Sequence, residues 1–135
     1  VVMAAAVADF RPKAVADHKI KKGDGLSEIL LEPTHDFLVD LGHAKRPGQL
    51  IVGFAAETDR VDEHAQDKLR RKQLDLIVAN DVSAPNVGFA HDTNAVTIHA
   101  SDGGATAIPL ADKRVVADAI CDAIVARRGR AVTPS

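Results

Sequence analysis

Three apolar runs divide the chain, and each is short enough to form one buried strand. They read VVMAAAVA at residues 1–8, LIVGFAA at 50–56 and LDLIVAN at 74–80. A strand covered on both faces reads as a continuous apolar run, whereas a strand with one wet face alternates apolar and polar residues. These runs therefore predict three parallel strands in the centre of a sheet.

Helical patterns separate the three runs. Residues 34–45 begin with Thr34, a favourable N-cap residue, and residues 58–73 form a second amphipathic segment. The apolar positions that fall on one face are Phe37, Leu38 and Leu41 in the first segment, and Val61, Ala65 and Leu69 in the second. Strands and helices that alternate in this way predict βαβ units with right-handed crossovers.

The last part of the chain has a different pattern. Within residues 95–110, two short alternating runs flank Ser101-Asp102-Gly103-Gly104, which predicts a hairpin that extends the sheet with antiparallel strands. Residues 111–128 predict a final helix, with Cys121 as a small buried side chain beside its apolar stripe. That stripe contains Val115, Val116, Ala119, Ile120, Ala123 and Ile124. Residues 129–135 are predicted to be a frayed tail.

The predicted fold class is therefore α/β, a Rossmann-like three-layer fold with a mainly parallel sheet and an antiparallel hairpin extension. The 135 residues suit one domain, and 46% of them are apolar. Because the chain starts inside a predicted core strand and without Met, we expect it to be the C-terminal part of a longer polypeptide, with the first strands of the fold missing.

Charge and composition exclude several classes of protein. The net charge of −2 argues against general nucleic-acid binding, which usually requires a basic domain. No apolar run approaches the roughly 20 residues that span a bilayer. Cys121 is the only cysteine, so no disulfide framework is expected. We expect a cytoplasmic protein that binds neither nucleic acid nor a membrane.

Charged and polar residues follow each predicted strand. In an open parallel α/β sheet, ligands bind outside the carboxyl ends of the strands. The acids, the amide and the aromatic residue at these ends are Asp9, Phe54, Glu57, Asn80 and Asp81, and the nearby cations are Arg11, Lys13, Lys19, Lys21, Lys22, Lys68 and Lys72. This mixture suits a polyphosphate ligand that also carries a base and a sugar.

Each of these residues also has a purely structural interpretation. By spacing alone, the Lys run at 19–22 is more typical of a solvated loop, and Phe54 of a core position. Lys68 and Lys72 fit a helix face that also carries Asp62, Glu63 and Asp67. Neither a P-loop nor a dinucleotide fingerprint is present, and no His or Cys spacing is typical of zinc.

The order of four segments resembles one enzyme family. AAAVADFRP is followed by KIKK, then by VGFAAET, then by LDLIVANDVS. Together they resemble the phosphopantothenate–cysteine ligase domain of coenzyme A biosynthesis, over Val1 to about Ile124. In bacteria this domain often follows a flavin-dependent decarboxylase in the same polypeptide. The resemblance makes residues 1–128 the nucleotide-binding part of the ligase domain, incomplete at its N-terminus.

The resemblance implies a reaction and its cofactors. CTP and Mg²⁺ or Mn²⁺ activate 4'-phosphopantothenate as an acyl-cytidylate, and L-cysteine then attacks the activated carbonyl and releases CMP. FMN is expected only in the separate decarboxylase domain. A homodimer is expected as well, and the hairpin at 95–108 offers an edge that a second copy can pair with.

The resemblance also implies roles for particular residues. Lys19 is expected to be catalytic, since it would stabilise charge on the transferring phosphoryl group. Asn80 is expected to bind substrate, and the metal ligands are not identified. Independently of the resemblance, residues 13–25 combine four lysines with Gly23 and Gly25, and this composition predicts a segment that closes over the ligand. The residues expected to contact the nucleotide are Met3, Ala4, Ala5, Asp9, Lys19, His35, Asp36, Phe37, Leu38, Phe54, Lys68 and Lys72.

Two family features are absent from these residues. The Gly-rich first strand and the Asn-Ser-Ser-Gly-Lys-Met-Gly segment, which help bind phosphopantothenate, do not occur in the sequence. Besides the ligase, two hypotheses stay open: a nucleotide-binding fragment without turnover, and a basic loop that binds RNA or an acidic partner. The net charge and the scarcity of aromatic residues count against the second of these.

Overall fold

A computed structural model describes residues 1–5, 7–21, 28–83 and 91–131, with the side chains of the last two left out. The chain divides into two compact units. Unit 1 comprises Val1–Ala4 and Leu38–Ser135, and unit 2 comprises Ala5–Phe37. The sequence contained no signal for this division.

The described elements are β1 (Phe10–Pro12), β2 (Leu31–Pro33), α1 (Phe37–His43), β3 (Val52–Glu57), α2 (Val61–Arg71), β4 (Leu76–Asp81), β5 (Thr93–Ala100), β6 (Ala105–Asp112) and α3 (Lys113–Ala131). Unit 1 holds a four-stranded sheet in the order β3-β4-β5-β6. The pair β3–β4 is parallel, whereas β4–β5 and β5–β6 are antiparallel. The predicted hairpin is confirmed, with its turn at Ser101–Gly104 between β5 and β6.

Two apolar clusters cover the two faces of this sheet. On one face, Leu38 and Leu41 of α1 and Ala65 and Leu69 of α2 pack against sheet residues such as Ile77. On the other face, Val116 and Ile120 of α3 pack against Val52, Leu76, Val78, Val96 and Ile98. Helices therefore cover both faces, and the predicted three-layer α/β class is confirmed. Among the described residues, no helix is long and apolar enough to cross a membrane.

Two glycines allow close approach of these layers. A Cβ atom on Gly42 in α1 would lie 1.8 Å from the carbonyl oxygen of Lys72, which follows α2. A Cβ atom on Gly53 in β3 would lie 2.7 Å from the side chain of Leu74. Larger residues at either position would push the helix layer away from the sheet.

The first apolar run is not a buried central strand in this structure. Val2 forms an isolated parallel bridge with Val52, and the Met3 amide donates to the Val52 carbonyl at 2.9 Å. No named strand includes residues 1–5, 7 or 8, the part of this run that the structure describes. Val1 and Val2 are 49% and 53% exposed. The prediction was wrong on this point because burial requires neighbours on both sides, and the described residues supply a partner only at β3.

Four further local predictions were wrong. Thr34 does not cap α1, because its amide donates to the Asp9 carbonyl at 2.8 Å and its hydroxyl donates to the Ala8 carbonyl. Cys121 is exposed, and Val115 is 55% exposed. Both lie to the side of the stripe that α3 buries. The helix also continues to Ala131, beyond its predicted end at residue 128.

Unit 2 contains the short antiparallel pair β1–β2. The Arg11 guanidinium and the Glu32 carboxylate, which lie opposite each other in this pair, form an ion pair at 2.8 Å. The Lys13 amide donates to the Leu30 carbonyl at 2.9 Å and extends the pairing beyond β1. Lys13, the first residue of the segment predicted to close over the ligand, is thereby paired with Leu30. Lys22 and the two following glycines lie outside the described residues, so the closure stays a prediction.

Candidate functional site

The carboxyl ends of β3 and β4 lie side by side in unit 1. In the parallel register, Ala56 is opposite Asn80 and Glu57 is opposite Asp81. The predicted convergence of these two strand ends is therefore confirmed. It forms the edge of the sheet at which α/β proteins usually bind ligands.

Side chains at this edge alternate between the two faces of the sheet. Val52 and Val78 point toward α3, so Phe54 and Asn80, two residues further along each strand, share that face. Phe54 is 41% exposed, which excludes the alternative that its ring is buried in the core. An exposed ring beside a half-buried amide is suited to contact a planar heterocycle. The contact of Phe54 with a nucleotide stays a prediction.

The opposite face carries a charged cluster that joins β3 to α2. The Lys68 ammonium donates to the Glu57 carboxylate, with Nζ 2.6 Å from Oε1. The imidazole Nδ1 of His64 lies 3.4 Å from Oε2 of the same carboxylate. The Glu57 side chain is only 16% exposed, whereas that of Lys68 is 36% exposed. A largely buried carboxylate thus holds a more accessible ammonium at the end of β3.

The environment of Glu57 favours its ionised form. Burial raises the pKa of its carboxyl group, but the hydrogen bond and positive charge of Lys68 and the contact with His64 lower it more. The resulting pKa lies below the ordinary value of 4.5. The carboxylate is therefore ionised at neutral pH and forms an ion pair with Lys68.

Lys72 lies away from this cluster along the helix. Its amide donates to the Lys68 carbonyl at 2.9 Å, at the C-terminal end of α2. Since α2 connects the carboxyl end of β3 to the amino end of β4, it runs back along the sheet. The backbone of Lys72 is therefore farther from the carboxyl ends of the strands than that of Lys68. The two lysines were predicted to act together on phosphates, and for both the role stays a prediction.

The remaining predicted site residues of unit 1 lie near its first residues and in α1. Met3 is half-buried and Ala4 is exposed. Leu38 packs into the core beside α2, so only its backbone is suited to contact a ligand.

Unit 2 contains the other predicted site residues. Asp9 is exposed directly before β1, and its carbonyl accepts the Thr34 amide. Lys19 is exposed in a segment without helix or strand. The others are Ala5, His35 and Asp36, all exposed, and Phe37, the first residue of α1 and 37% exposed. Their roles toward a nucleotide stay predictions.

Two features of the site were not predicted from the sequence. One is the contact of Glu57 with His64 and Lys68, which joins residues of different elements. The other is buried His99 in β5, 4% exposed, whose Nε2 lies 3.1 Å from Oδ1 of Asp62 in α2. Asp62 also lines a cavity of about 300 Å³, together with Val61, Ala79, Asp81, Ala95, Val96, Thr97, Ala107 and Ile108. The i,i+4 spacing of His64 and Lys68 was the only sequence signal for the cluster.

The described residues contain no group of three His, Cys, Asp or Glu side chains that could hold a metal ion. Mg²⁺ is usually bound by one or two carboxylates together with substrate phosphates, and the divalent cation stays a prediction.

Comparison with known proteins identifies similar sequences over nearly the whole chain. Residues 1–127 match the family described as DFP, DNA/pantothenate metabolism flavoprotein C-terminal domain. The coenzyme A biosynthesis bifunctional protein CoaBC of Bacillus subtilis is 49% identical over 126 residues, 93% of this chain and 31% of that protein. A cysteine/cysteine sulfinic acid decarboxylase from an unknown prokaryotic organism is 50% identical over 97 residues, 72% of this chain and 27% of that protein.

A solved structure agrees with these sequence matches. The crystal structure of the C-terminal domain of a coenzyme A biosynthesis bifunctional protein CoaBC has a TM-score of 0.66 and is 42% identical. The match covers 89% of this chain and 50% of that chain. The chain thus spans about a third of the length of the curated relatives that it matches, and half of the solved domain.

Proposed function

The chain belongs to the family of DNA/pantothenate metabolism flavoprotein C-terminal domains, and we propose that it supplies the nucleotide-binding half of a phosphopantothenate–cysteine ligase in coenzyme A biosynthesis. The match to a solved CoaBC C-terminal domain supports the ligase rather than the decarboxylase as the relevant activity. The decarboxylase named among the relatives shares only 27% of its length with this chain, so its name does not assign that activity to the shared part.

The proposed reaction has two steps. A carboxylate oxygen of 4'-phosphopantothenate attacks the α-phosphorus of CTP, forming an acyl-cytidylate and releasing pyrophosphate. The amine of L-cysteine then attacks the acyl carbon, forming the amide, and the acyl–oxygen bond breaks to release CMP. The oxygen that joined the acyl group to phosphorus leaves with CMP, and the amine loses one proton.

The geometry of unit 1 supports binding of CTP at the carboxyl ends of β3 and β4. Phe54 presents a partly exposed ring for the cytosine on one face of the sheet. Lys68 presents an ammonium on the other face, and a fixed cation can neutralise phosphate charge as it develops. Asn80 lies on the same face as Phe54 and is proposed to contact substrate. Lys72 is proposed to contact phosphate from the end of α2.

Unit 2 is proposed to supply the remaining nucleotide contacts. Asp9 is proposed to contact the sugar, and Lys19 to stabilise negative charge on the phosphoryl group during activation. Because both side chains are exposed in unit 2, neither is engaged in its apolar contacts. Ala5 is proposed to contribute through its small size, and residues 35–37, with Leu38 of unit 1, through their backbone groups.

The proposal extends to cofactors and partners. Mg²⁺ or Mn²⁺ would accompany the triphosphate, where a divalent cation neutralises phosphate charge. FMN would belong to a separate N-terminal decarboxylase domain of the full polypeptide. A homodimer in the cytoplasm completes the proposal, without nucleic acid or membrane as partners.

The observation that carries the proposal is the family match over residues 1–127. The test uses the full-length natural protein with CTP, 4'-phosphopantothenate and cysteine. We expect phosphopantothenoylcysteine to form only when CTP and a divalent cation are present. CTP binding without amide formation would instead favour the nucleotide-binding protein without turnover, and absence of both would contradict the proposal.

A further inference from the structure

The ion pair between Glu57 and Lys68 has a role beyond joining a strand to a helix. We propose that Glu57 is a positioning residue, which holds the Lys68 ammonium at the carboxyl end of β3 in the orientation that receives the phosphates of the nucleotide. This inference rests on the proposed function, because it concerns the same site and assigns a role to a residue that does not itself contact the ligand.

The first argument is the length of the lysine side chain. Lys68 lies in the second half of α2, whereas the strand end lies next to the beginning of that helix. Side chains on a helix lean toward its N-terminus, so Lys68 leans toward Glu57. A lysine has a flexible four-carbon stem, and an unrestrained ammonium would sample many positions around this edge. The 2.6 Å contact restricts it to one of them.

The second argument is the way in which Glu57 is itself held. Its side chain is only 16% exposed, and its two oxygens face different residues of α2. Oε1 accepts from Lys68, and Oε2 faces Nδ1 of His64 at 3.4 Å. His64 and Lys68 are one turn apart on the helix, so the carboxylate lies between them. A carboxylate held on both sides is a firm support for the ammonium.

The third argument is electrostatic. A carboxylate beside a triphosphate is unfavourable on its own, because like charges repel. An ammonium has three N–H donors, and the bond to Glu57 uses one of them. Lys68 is 36% exposed, so its remaining donors are accessible to a ligand. Because Lys68 neutralises its charge, Glu57 can support the ammonium without adding net negative charge to the pair.

The test is a double-mutant cycle in the full-length natural protein. The variants are Glu57→Gln, Lys68→Gln and both together, with Glu63→Gln as the matched control. Glu63 lies on the same helix and loses the same charge, but its carboxylate is 73% exposed and 3.6 Å from Arg60. Binding of CTP and of cytidine is measured by calorimetry, KM for CTP and kcat by product formation, and folding by circular-dichroism melting.

We expect Glu57→Gln to raise Kd and KM for CTP about tenfold. A loss of this size corresponds to one weakened charge-assisted hydrogen bond between Lys68 and a phosphate. The cytidine affinity and kcat of Glu57→Gln should change by less than about twofold. The same limit should hold for every measured quantity of the Glu63→Gln control. In the Lys68→Gln background, Glu57→Gln should have no further effect on CTP. If Glu57→Gln does not fold, Glu57→Asp replaces it, since it withdraws the carboxylate from Lys68 while keeping its charge, and the same loss for CTP is expected.

Several results would overturn the inference while leaving the proposed function intact. These are CTP affinity equal to wild type in Glu57→Gln, tighter binding of CTP, an equal loss for cytidine, or a full loss that persists in the Lys68→Gln background. Tighter binding would show that Glu57 competes with phosphate for Lys68. Failure of the wild-type protein to bind CTP or to form product would instead contradict the proposed function.

Discussion

Lys68 and Glu57 meet at 2.6 Å although they lie eleven positions apart in the sequence, one on a helix and the other at the end of a strand. The contact places a cation at the edge of the sheet where β3 and β4 end together. It also joins α2 to β3 in a region where the helix covers the sheet through Ala65 and Leu69. The same pair thus contributes to the packing of unit 1 and to the proposed phosphate site.

The ion pair should make stability depend on pH. The folded-state pKa of Glu57 lies below 4.5, so its stabilisation is fully present above the pKa of the unfolded chain and is lost as pH falls through the lower folded-state value. The difference in unfolding free energy between wild type and Glu57→Gln should therefore be largest near neutral pH and shrink below about pH 4.5. Urea unfolding at several pH values measures it.

Glu63→Gln is the control for this pH experiment, because its carboxylate is 73% exposed. The free energy of unfolding of Glu63→Gln should differ little from that of the wild type at every pH. The ionised pair would be contradicted if the difference in unfolding free energy between wild type and Glu57→Gln stayed constant, or grew, as the pH falls.

Removal of Lys68 should affect the triphosphate rather than the nucleoside. Lys68→Ala should weaken the binding of CTP by about 1.5–3 kcal/mol, which is the usual contribution of a charge-assisted contact. The binding of cytidine should be nearly unchanged. Lys72→Ala should cause a smaller loss, since Lys72 lies farther back along α2. Calorimetric titrations with both ligands measure the two effects. Equal losses for CTP and cytidine in Lys68→Ala would indicate a packing defect instead.

Lys19→Gln should reduce the maximal rate rather than the affinity for CTP. If Lys19 stabilises charge that develops on the phosphoryl group, its interaction is strongest in the transition state, and kcat should fall about a hundredfold or more. Acyl-cytidylate should not accumulate, as rapid-quench mass spectrometry would show. Accumulation of the acyl-cytidylate would indicate that Lys19 acts in the cysteine step. Normal turnover at saturating CTP would indicate that Lys19 is a solvated residue without a catalytic role.

Gly42→Ala should destabilise the protein because the new methyl group would lie 1.8 Å from the carbonyl oxygen of Lys72. Overpacking of this kind usually costs about 1–3 kcal/mol, and we expect the upper part of that range. The matched control is Gly129→Ala, where nothing lies within 4 Å of the added atom. In a helix this change should be neutral or stabilising by up to about 1 kcal/mol. Urea midpoints compare the two, and equal effects would contradict the close approach.

The centre of the fold was predictable because its signals are local. The runs at 50–56 and 74–80 are apolar over the length of a strand, and they contain β3 and β4. The turn at Ser101–Gly104 combines polar residues with two glycines, which explains the hairpin. The spacing of Val61, Ala65 and Leu69 gave the buried side of α2.

The first apolar run shows the limit of this reasoning. Val1 and Val2 have the composition of a central strand, but burial depends on which elements lie next to them, and composition does not contain that information. Thr34 is a similar case, because its hydroxyl binds the carbonyl of Ala8 rather than an amide of α1. Both outcomes depend on partners that are distant in sequence.

The convergence of the strand ends that carry candidate residues was predictable, whereas the contacts between residues of different elements were not. Phe54 and Asn80 were selected as residues at strand ends, and Lys68 as a residue of the following helix. The structure places Phe54 in the middle of β3 rather than after it, on the same face of the sheet as Asn80. The contact between Glu57 and Lys68 joins a strand to a helix, so no periodicity within either element reports it. The contact between Glu57 and Lys68 depends on the position of α2 beside β3 and on the length of the lysine side chain.

The transfer of one oxygen atom tests the proposed reaction most directly. The full-length protein is incubated with CTP, cysteine, a divalent cation and 4'-phosphopantothenate labelled with ¹⁸O in its carboxylate, and the nucleotide product is analysed by mass spectrometry. If the carboxylate attacks the α-phosphorus, the product is CMP and it carries one ¹⁸O atom for each amide formed. Unlabelled CMP, or CDP together with labelled inorganic phosphate, would contradict the acyl-cytidylate.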